Sequence, residues 1–335
     1  MCLIGEGEMG TNSLKIFDKV PNYFTNHKVG KPPQNRSIAE LLDLGIINLD
    51  KPANPTSHEV TAWVKRILGI TKAGHGGTLD PAVTGCLPIA LGRATRALRI
   101  LLSAGKVYIC IMKSHFPISR EELLSILDNF KGKIYQTPPL RSNVKRRLRV
   151  RKIYDLKLLD HCDAQLSLLK ITCEAGTYIR KLIHDIGLLL GTGAHMQELR
   201  RLKTGPFSEE TCVTLQDLRD AWYYYKMEGN ETFIRKIIQP IEIICQNLPK
   251  LFIRDSAVDA ICHGAALTLP GVVRVTEGIE PNSLVAILTM KEELVAFGQS
   301  TLSTEKILTL SNGICARTNT VFMEKKTYPS MWKTS

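Results

Sequence analysis

GHGGTLDP, residues 74–81, sets three glycines and a histidine around one acidic residue. Glycine lets a backbone turn tightly or approach another group closely, and a proline after the acid restricts how the chain leaves. Asp80 is therefore presented by its neighbours. A phosphate loop would need Gly-Lys-Ser/Thr after its glycines, and a dinucleotide fingerprint would need Gly or Ala where Leu79 stands. A nucleophile elbow needs Gly-x-Ser-x-Gly, and a paired-carboxylate site needs a second acid; the stretch has neither. What is left is a single carboxylate, fit for a covalent nucleophile or a general base if something orients it. Arginine suits that task because its charge is permanent and its fork planar. The candidate is Arg180 in GTYIRKL, read as the first turn of a helix behind a Gly-Thr cap, which directs its side chain back toward the preceding turn.

Working outward, GIINLDKP reads as a strand ending at a turn, with Lys51 and Pro52 supporting the loop that carries Asp80. TSHEVTAWVKRIL reads as a helix with a Thr56/Glu59 capping box and an apolar face of Val60, Trp63, Val64, Ile67 and Leu68. His58 in its first turn is expected to be a surface or capping histidine. KVYICIM alternates as a strand, SREELLSILDNF is a second capped helix, and QLSLLKITCE is a strand feeding the helix of Arg180. After about Asn247 the pattern changes to short strands and turns, as a second, β-rich domain would require.

The 335 residues, 44% of them apolar, suffice for a large domain and a smaller one. No apolar run approaches the ~18 residues of a membrane span, and the start lacks signal-peptide character, so an intracellular protein is expected. The 9 cysteines form no C-x-x-C pair, which argues for free thiols and against a metal site. A formal net charge of +12 points to a polyanionic partner. That charge is concentrated in RSNVKRRLRVRK, residues 141–152, which holds Arg141, Lys145, Arg146, Arg147, Arg149, Arg151 and Lys152 and no acid. Val144, Leu148, Val150 and Ile153 run through it, so a folded nucleic-acid-binding segment is predicted.

The blocks INLDKPANPTSHEV, GHGGTLDPAVTGCL, RATR, AGKVYICI, PPLRSNVKRRLRVRKIY, CEAGTYIRKL and GAHMQELRRLKTG occur in an order that resembles the TruB-type RNA pseudouridine synthases, specifically their dyskerin-type branch, the catalytic subunits of H/ACA ribonucleoproteins. The resemblance runs from about Leu14 to Trp332, and its C-terminal part, from DSAVDAICHGAALTLPGVVR onward, is similar to a PUA domain.

This resemblance implies an α+β fold: a mixed, largely antiparallel sheet flanked by helices, plus a small β-barrel-like PUA domain. The implied divisions are an N-terminal arm at 1–40, a catalytic domain at 41–246, the PUA domain at 247–326 and a tail at 327–335. It implies isomerisation of uridine to pseudouridine without any cofactor. Asp80 would be the nucleophile, Tyr108 would stack on the uracil, Arg180 would pair with Asp80, and Leu199 would line an apolar floor. Gly74, Gly76 and Gly77 would let backbone approach a flipped nucleotide, with His75 beside it. Gly76 departs from the family pattern, which carries serine there. Lys145, Arg146, Arg147 and Arg149, with Gly264 and Gly271 in the PUA domain, would hold RNA. The implied partners are an H/ACA guide RNA, substrate rRNA and the three small H/ACA core proteins, in the nucleus and nucleolus. A stand-alone tRNA pseudouridine synthase and a non-catalytic RNA scaffold are the competing readings.

Overall fold

The computed structural model describes residues 14–138 and 145–330, and the chain divides into two compact units, residues 45–239 and residues 1–44 with 240–335. Arg141 and Val144 of the basic run lie outside the described residues.

In the first unit the elements follow one another as β1 (Gly45–Lys51), α1 (Ser57–Leu68), β2 (Ala73–His75), β3 (Thr84–Leu91), α2 (Leu98–Ser103), β4 (Lys106–Ser114), α3 (Arg120–Leu127), β5 (Gly132–Gln136), β6 (Arg149–Cys162), β7 (Leu166–Cys173), α4 (Ile179–Leu189), β8 (Ala194–Thr204) and α5 (Leu215–Glu228). The strands make a mixed sheet in the order β1-β3-β8-β4-β7-β6-β5, with β2 added to β3. All these neighbours are antiparallel except β3 and β8, which run parallel with Thr84 opposite Arg200 and Gly85 opposite Arg201. Gly85 has φ 99°, and a Cβ there would lie 2.3 Å from the Arg201 carbonyl, so only glycine admits this approach.

Helix α1 forms as the capping box predicts: the Thr56 hydroxyl accepts from the Glu59 amide while the Glu59 carboxylate accepts from the Thr56 amide, and left-handed Gly69 closes the other end. Its buried face is narrower than the sequence pattern indicates. Val60, Thr61, Val64 and Leu68 are buried, whereas Trp63 is 37% exposed. The start of α4 also differs from expectation. Tyr178 is its N-cap and lends no side-chain cap, while the Thr177 hydroxyl donates to the Glu174 carbonyl. A side chain from another strand does that work: buried Gln136 accepts from the Tyr178 amide at 3.0 Å and donates to its carbonyl at 3.1 Å.

The basic run is only partly regular. Lys145–Leu148 have no regular structure, and β6 begins at Arg149. Ile153 is buried, but Leu148 is 65% and Val150 47% exposed, because strand alternation turns Val150, Lys152 and Tyr154 to the open face. Leu148, Val150 and Ile153 are therefore not a shared core stripe.

The second unit holds a seven-stranded sheet. Its order is 16–18, β10 (Val272–Thr276), β9 (Lys250–Ile253), β11 (Leu284–Thr289), β12 (Leu294–Ser300), β13 (Ile314–Val321) and 267–268, with α6 (Asp255–Cys262) following β9. Residues 14–44 are built into this unit: Ile16–Asp18 pair with β10, and Arg36 makes a double ion pair with Glu242 at 2.7 and 2.6 Å.

Candidate active site

Asp80 lies between β2 and β3 on a loop whose backbone is held by hydrogen bonds on both sides of it. The Gly76 amide donates to the Pro88 carbonyl at 2.8 Å. The Ser57 hydroxyl, at the start of α1, accepts from the Leu79 amide at 2.9 Å and donates to its carbonyl at 3.1 Å. Beyond Asp80, the Lys51 ammonium donates to the carbonyls of Pro52, Pro81 and Val83, each at 2.8 Å. Lys51 is fully buried; burial pushes its pKa down, and the Asp80 carboxylate pulls against that. The expected support of the loop by Lys51 is thus a three-way clamp at the foot of the acid.

Asp80 itself is half-exposed, and its carboxylate is bonded to the guanidinium of Arg180 from the first turn of α4. The two residues are 100 positions apart, so the sheet and α4 bring them together. Leu79, Tyr108 and Leu199 share one apolar cluster beside them, joined by Val83, Cys110 and Ile179. Tyr108 is 7% exposed; burial raises its pKa, and the nearby Asp80 charge adds to that rise. The structure therefore brings the acid and the arginine together beside the tyrosine, with the leucine packed against the same apolar cluster.

The glycines have a different use from the one anticipated. A Cβ at Gly74 would lie 2.8 Å from Leu98, and one at Gly76 would lie 3.0 Å from Leu101, so these two make room for α2. Only Gly77, with φ 138°, needs glycine for its backbone angle. His75 is half-buried and meets the exposed His58 ring edge-on at 4.9 Å, with its Nδ1 buried and unpartnered. Burial, His58 and Arg201 together lower its pKa.

Lys145, Arg146 and Arg147 are exposed, whereas Arg149 is half-buried. In the other unit Gly264, φ 88°, follows the last turn of α6 with open space where a Cβ would stand. Gly271 is buried, and a Cβ there would lie 3.2 Å from both Ala257 and Leu267. The close approach seen here is to the protein's own α6 and to Leu267. Lys106 and Arg201 are not singled out by the sequence. The doubled basic residue of ELRRLKTG is the available signal for Arg201, but nothing local separates it from Arg200, which pairs at the surface with Asp50 and Glu209.

Four family models match the chain: the TruB family pseudouridylate synthase N-terminal domain over residues 65–179, the tRNA pseudouridylate synthase B C-terminal domain over 180–246, the PUA domain over 249–322, and the DKCLD domain over 17–61. The chain is 54% identical over 308 residues to the probable tRNA pseudouridine synthase B of Methanopyrus kandleri, covering 92% of this chain and 91% of that one. With the protein of the same name from Pyrococcus abyssi it shares 52% over 309 residues, 92% of each. Among solved structures, the chain of an H/ACA RNP bound to a substrate RNA containing 2'-deoxyuridine superposes with TM-score 0.90 at 45% identity, over 96% of this chain and 99% of that one. A Cbf5–Nop10–Gar1 complex gives TM-score 0.90 at 48% identity, over 96% and 98%.

Proposed function

The chain belongs to the TruB family of pseudouridine synthases, and from that premise we propose that it is the catalytic subunit of an H/ACA ribonucleoprotein, converting guide-selected uridines in rRNA to pseudouridine. The family makes it an isomerase: the N1–C1′ bond of uridine breaks, a C5–C1′ bond forms, and the C5 proton is given up while N1 gains one.

The observation that carries the chemistry is the Asp80–Arg180 ion pair set against the Leu79, Tyr108 and Leu199 wall. Asp80 is the nucleophile, attacking either C1′ of the ribose or the uracil ring, so that base and sugar can separate and rejoin through carbon. Arg180 aims it, since a bonded carboxylate keeps one oxygen directed while the other stays free. Tyr108 and Leu199 supply a surface for a base taken out of its stack, with His75 near the loop.

The guided setting is supported by correspondence along nearly the whole chain to the protein of solved H/ACA complexes, PUA domain included. Its partners are then a guide RNA and small core proteins of the kind seen as Nop10 and Gar1 in those complexes. The relatives named tRNA pseudouridine synthase B favour a second reading, direct action on tRNA.

Two assays test the proposal. Asp80→Asn changes almost no volume and should leave RNA affinity unchanged while activity falls at least about a hundredfold; more residual turnover removes Asp80 as nucleophile. Wild-type protein reconstituted with its small partners should convert an rRNA fragment only when a matching guide is present. Equal conversion of a tRNA stem-loop without any guide would favour the second reading.

A further inference from the structure

Beneath the Asp80 loop lies an arginine that the reaction outlined above does not use. Arg201, in β8, is 1% exposed. Its Nε donates to the Cys86 carbonyl at 2.8 Å and its terminal nitrogen to the Gly77 carbonyl at 3.1 Å. Those carbonyls stand on opposite sides of Asp80, one in the loop and one in β3. In the sheet Arg201 is the register partner of Tyr108. Gly85 admits the Arg201 backbone, and Gly77 lies against the guanidinium, 3.5 Å from where a Cβ there would stand.

A buried cation is costly unless its donors are satisfied, and an apolar residue of similar size would pack there more cheaply. Both of these bonds go to neutral carbonyls, so the fork is held by backbone and not by a buried acid. A planar fork can hold two separate carbonyls at once, which a single ammonium or amide arm cannot do with the same geometry. Lys106 is a useful contrast. It is also buried, but its ammonium bonds the carbonyls of Ala104, Leu101 and Leu102 at the end of α2, and its Cε passes Gly77 at 3.8 Å from where a Cβ there would stand, without a hydrogen bond to the loop among the described residues.

We propose that Arg201 is a positioning residue for the isomerisation, tying the loop that carries Asp80 to β3 and to the strand that carries Tyr108, so that nucleophile and aromatic wall keep one spacing. The role rests on the active site proposed above. Arg201 acts through the loop and touches no reacting atom. Tyr108 feels its charge as well: burial raises the Tyr108 pKa, and Arg201 opposes that rise.

Arg201→Lys in the full-length protein, read by amide hydrogen exchange and by turnover, tests this. The Gly76 amide is bonded to the Pro88 carbonyl of β3 and the Leu79 amide to the Ser57 hydroxyl of α1, and their exchange should quicken about tenfold or more in the variant while the rest of β1 and β3 stays protected. Turnover should drop about a hundredfold, with KM and RNA affinity within about threefold of wild type. Lys106→Met should lower the melting temperature yet leave loop exchange and turnover within about threefold of wild type. Arg201→Gln, neutral and single-armed, should repeat the loop-selective exchange. Unchanged loop exchange, or faster exchange spread evenly over the sheet in both Arg201 variants, would make Arg201 an ordinary core residue and overturn the proposal. Exchange is measured without turnover, so its result stands apart from whether Asp80 is the nucleophile.

Discussion

At the scale of single residues, the site is an exposed ion pair standing on one buried cation, Lys51, while a second, Lys106, closes the end of α2. Lys51 and Lys106 are both held by backbone carbonyls, and burial moves both pKa values down, that of Lys106 to about 8 from 10.5. The sign of the pH effect follows. Below pH 8 both folded and unfolded chains carry the Lys106 proton, and the folded state bears the burial cost. Between the two pKa values the folded state has released its proton and the unfolded state has not, so stability from this group rises with pH. Wild type should therefore gain about 2 kcal/mol relative to Lys106→Met between pH 7 and 9.5, read by urea unfolding. A difference that does not change with pH would place the ammonium in contact with water.

At the scale of elements, Arg180 is aimed by the way α4 begins. No local cap holds that end; Gln136 of β5 does, through both of its amide atoms. Gln136→Leu should cost about 1–3 kcal/mol, since the Tyr178 amide loses its bond to Gln136 while the Tyr178 carbonyl keeps only the Leu182 amide of the two bonds described for it. It should also lower turnover by about tenfold while RNA affinity is unchanged, because only the aim of Arg180 is loosened. An RNA-affinity loss with normal turnover would reverse that assignment. The run entering β6 acts differently. Lys145, Arg146 and Arg147 are exposed, and changing all three to Gln should weaken binding to every RNA tested and flatten the plot of log affinity against log salt by about 2. An unchanged slope would mean that this run makes no phosphate contact.

On the scale of the molecule, residues 14–44 are structural parts of the unit that contains the PUA domain. Asp255 at the start of α6 accepts from the Thr25 hydroxyl at 2.9 Å and the Asn26 amide at 2.7 Å, and its own amide donates to the Tyr23 hydroxyl at 2.9 Å. Further along, the Lys31 amide donates to Glu293 at 3.1 Å, and Arg36 meets Glu242 with both side chains largely buried. Deleting residues 1–36 would leave Glu242 a buried charge without its arginine, a loss of about 3–5 kcal/mol, along with the Asp255 contacts. Calorimetry of the deletion should show the C-terminal unit melting earlier while the unit of residues 45–239 melts as before. If both transitions held their temperatures, the segment would be a passenger on that sheet.

Much of this architecture is legible in the amino-acid sequence. Alternation marks β4 and β7, capping boxes mark α1 and α3, and the turn to short β elements after Asn247 marks the second unit, because each depends on residues only a few positions apart. The separation of Asp80 from phosphate-loop and dinucleotide chemistry is likewise local. Other features are settled over long distances. Trp63 follows the apolar pattern of α1 yet stays exposed, and Leu148 and Val150 face outward, because among the described residues no element covers them. Gly74, Gly76 and Gly271 serve the packing of helices, a use that a sequence cannot separate from approach to a ligand. Arg200 and Arg201 are adjacent and chemically identical. One pairs with acids at the surface, and the other is sealed beneath Gly77, since successive strand residues point to opposite faces and only the assembled sheet decides which face is buried.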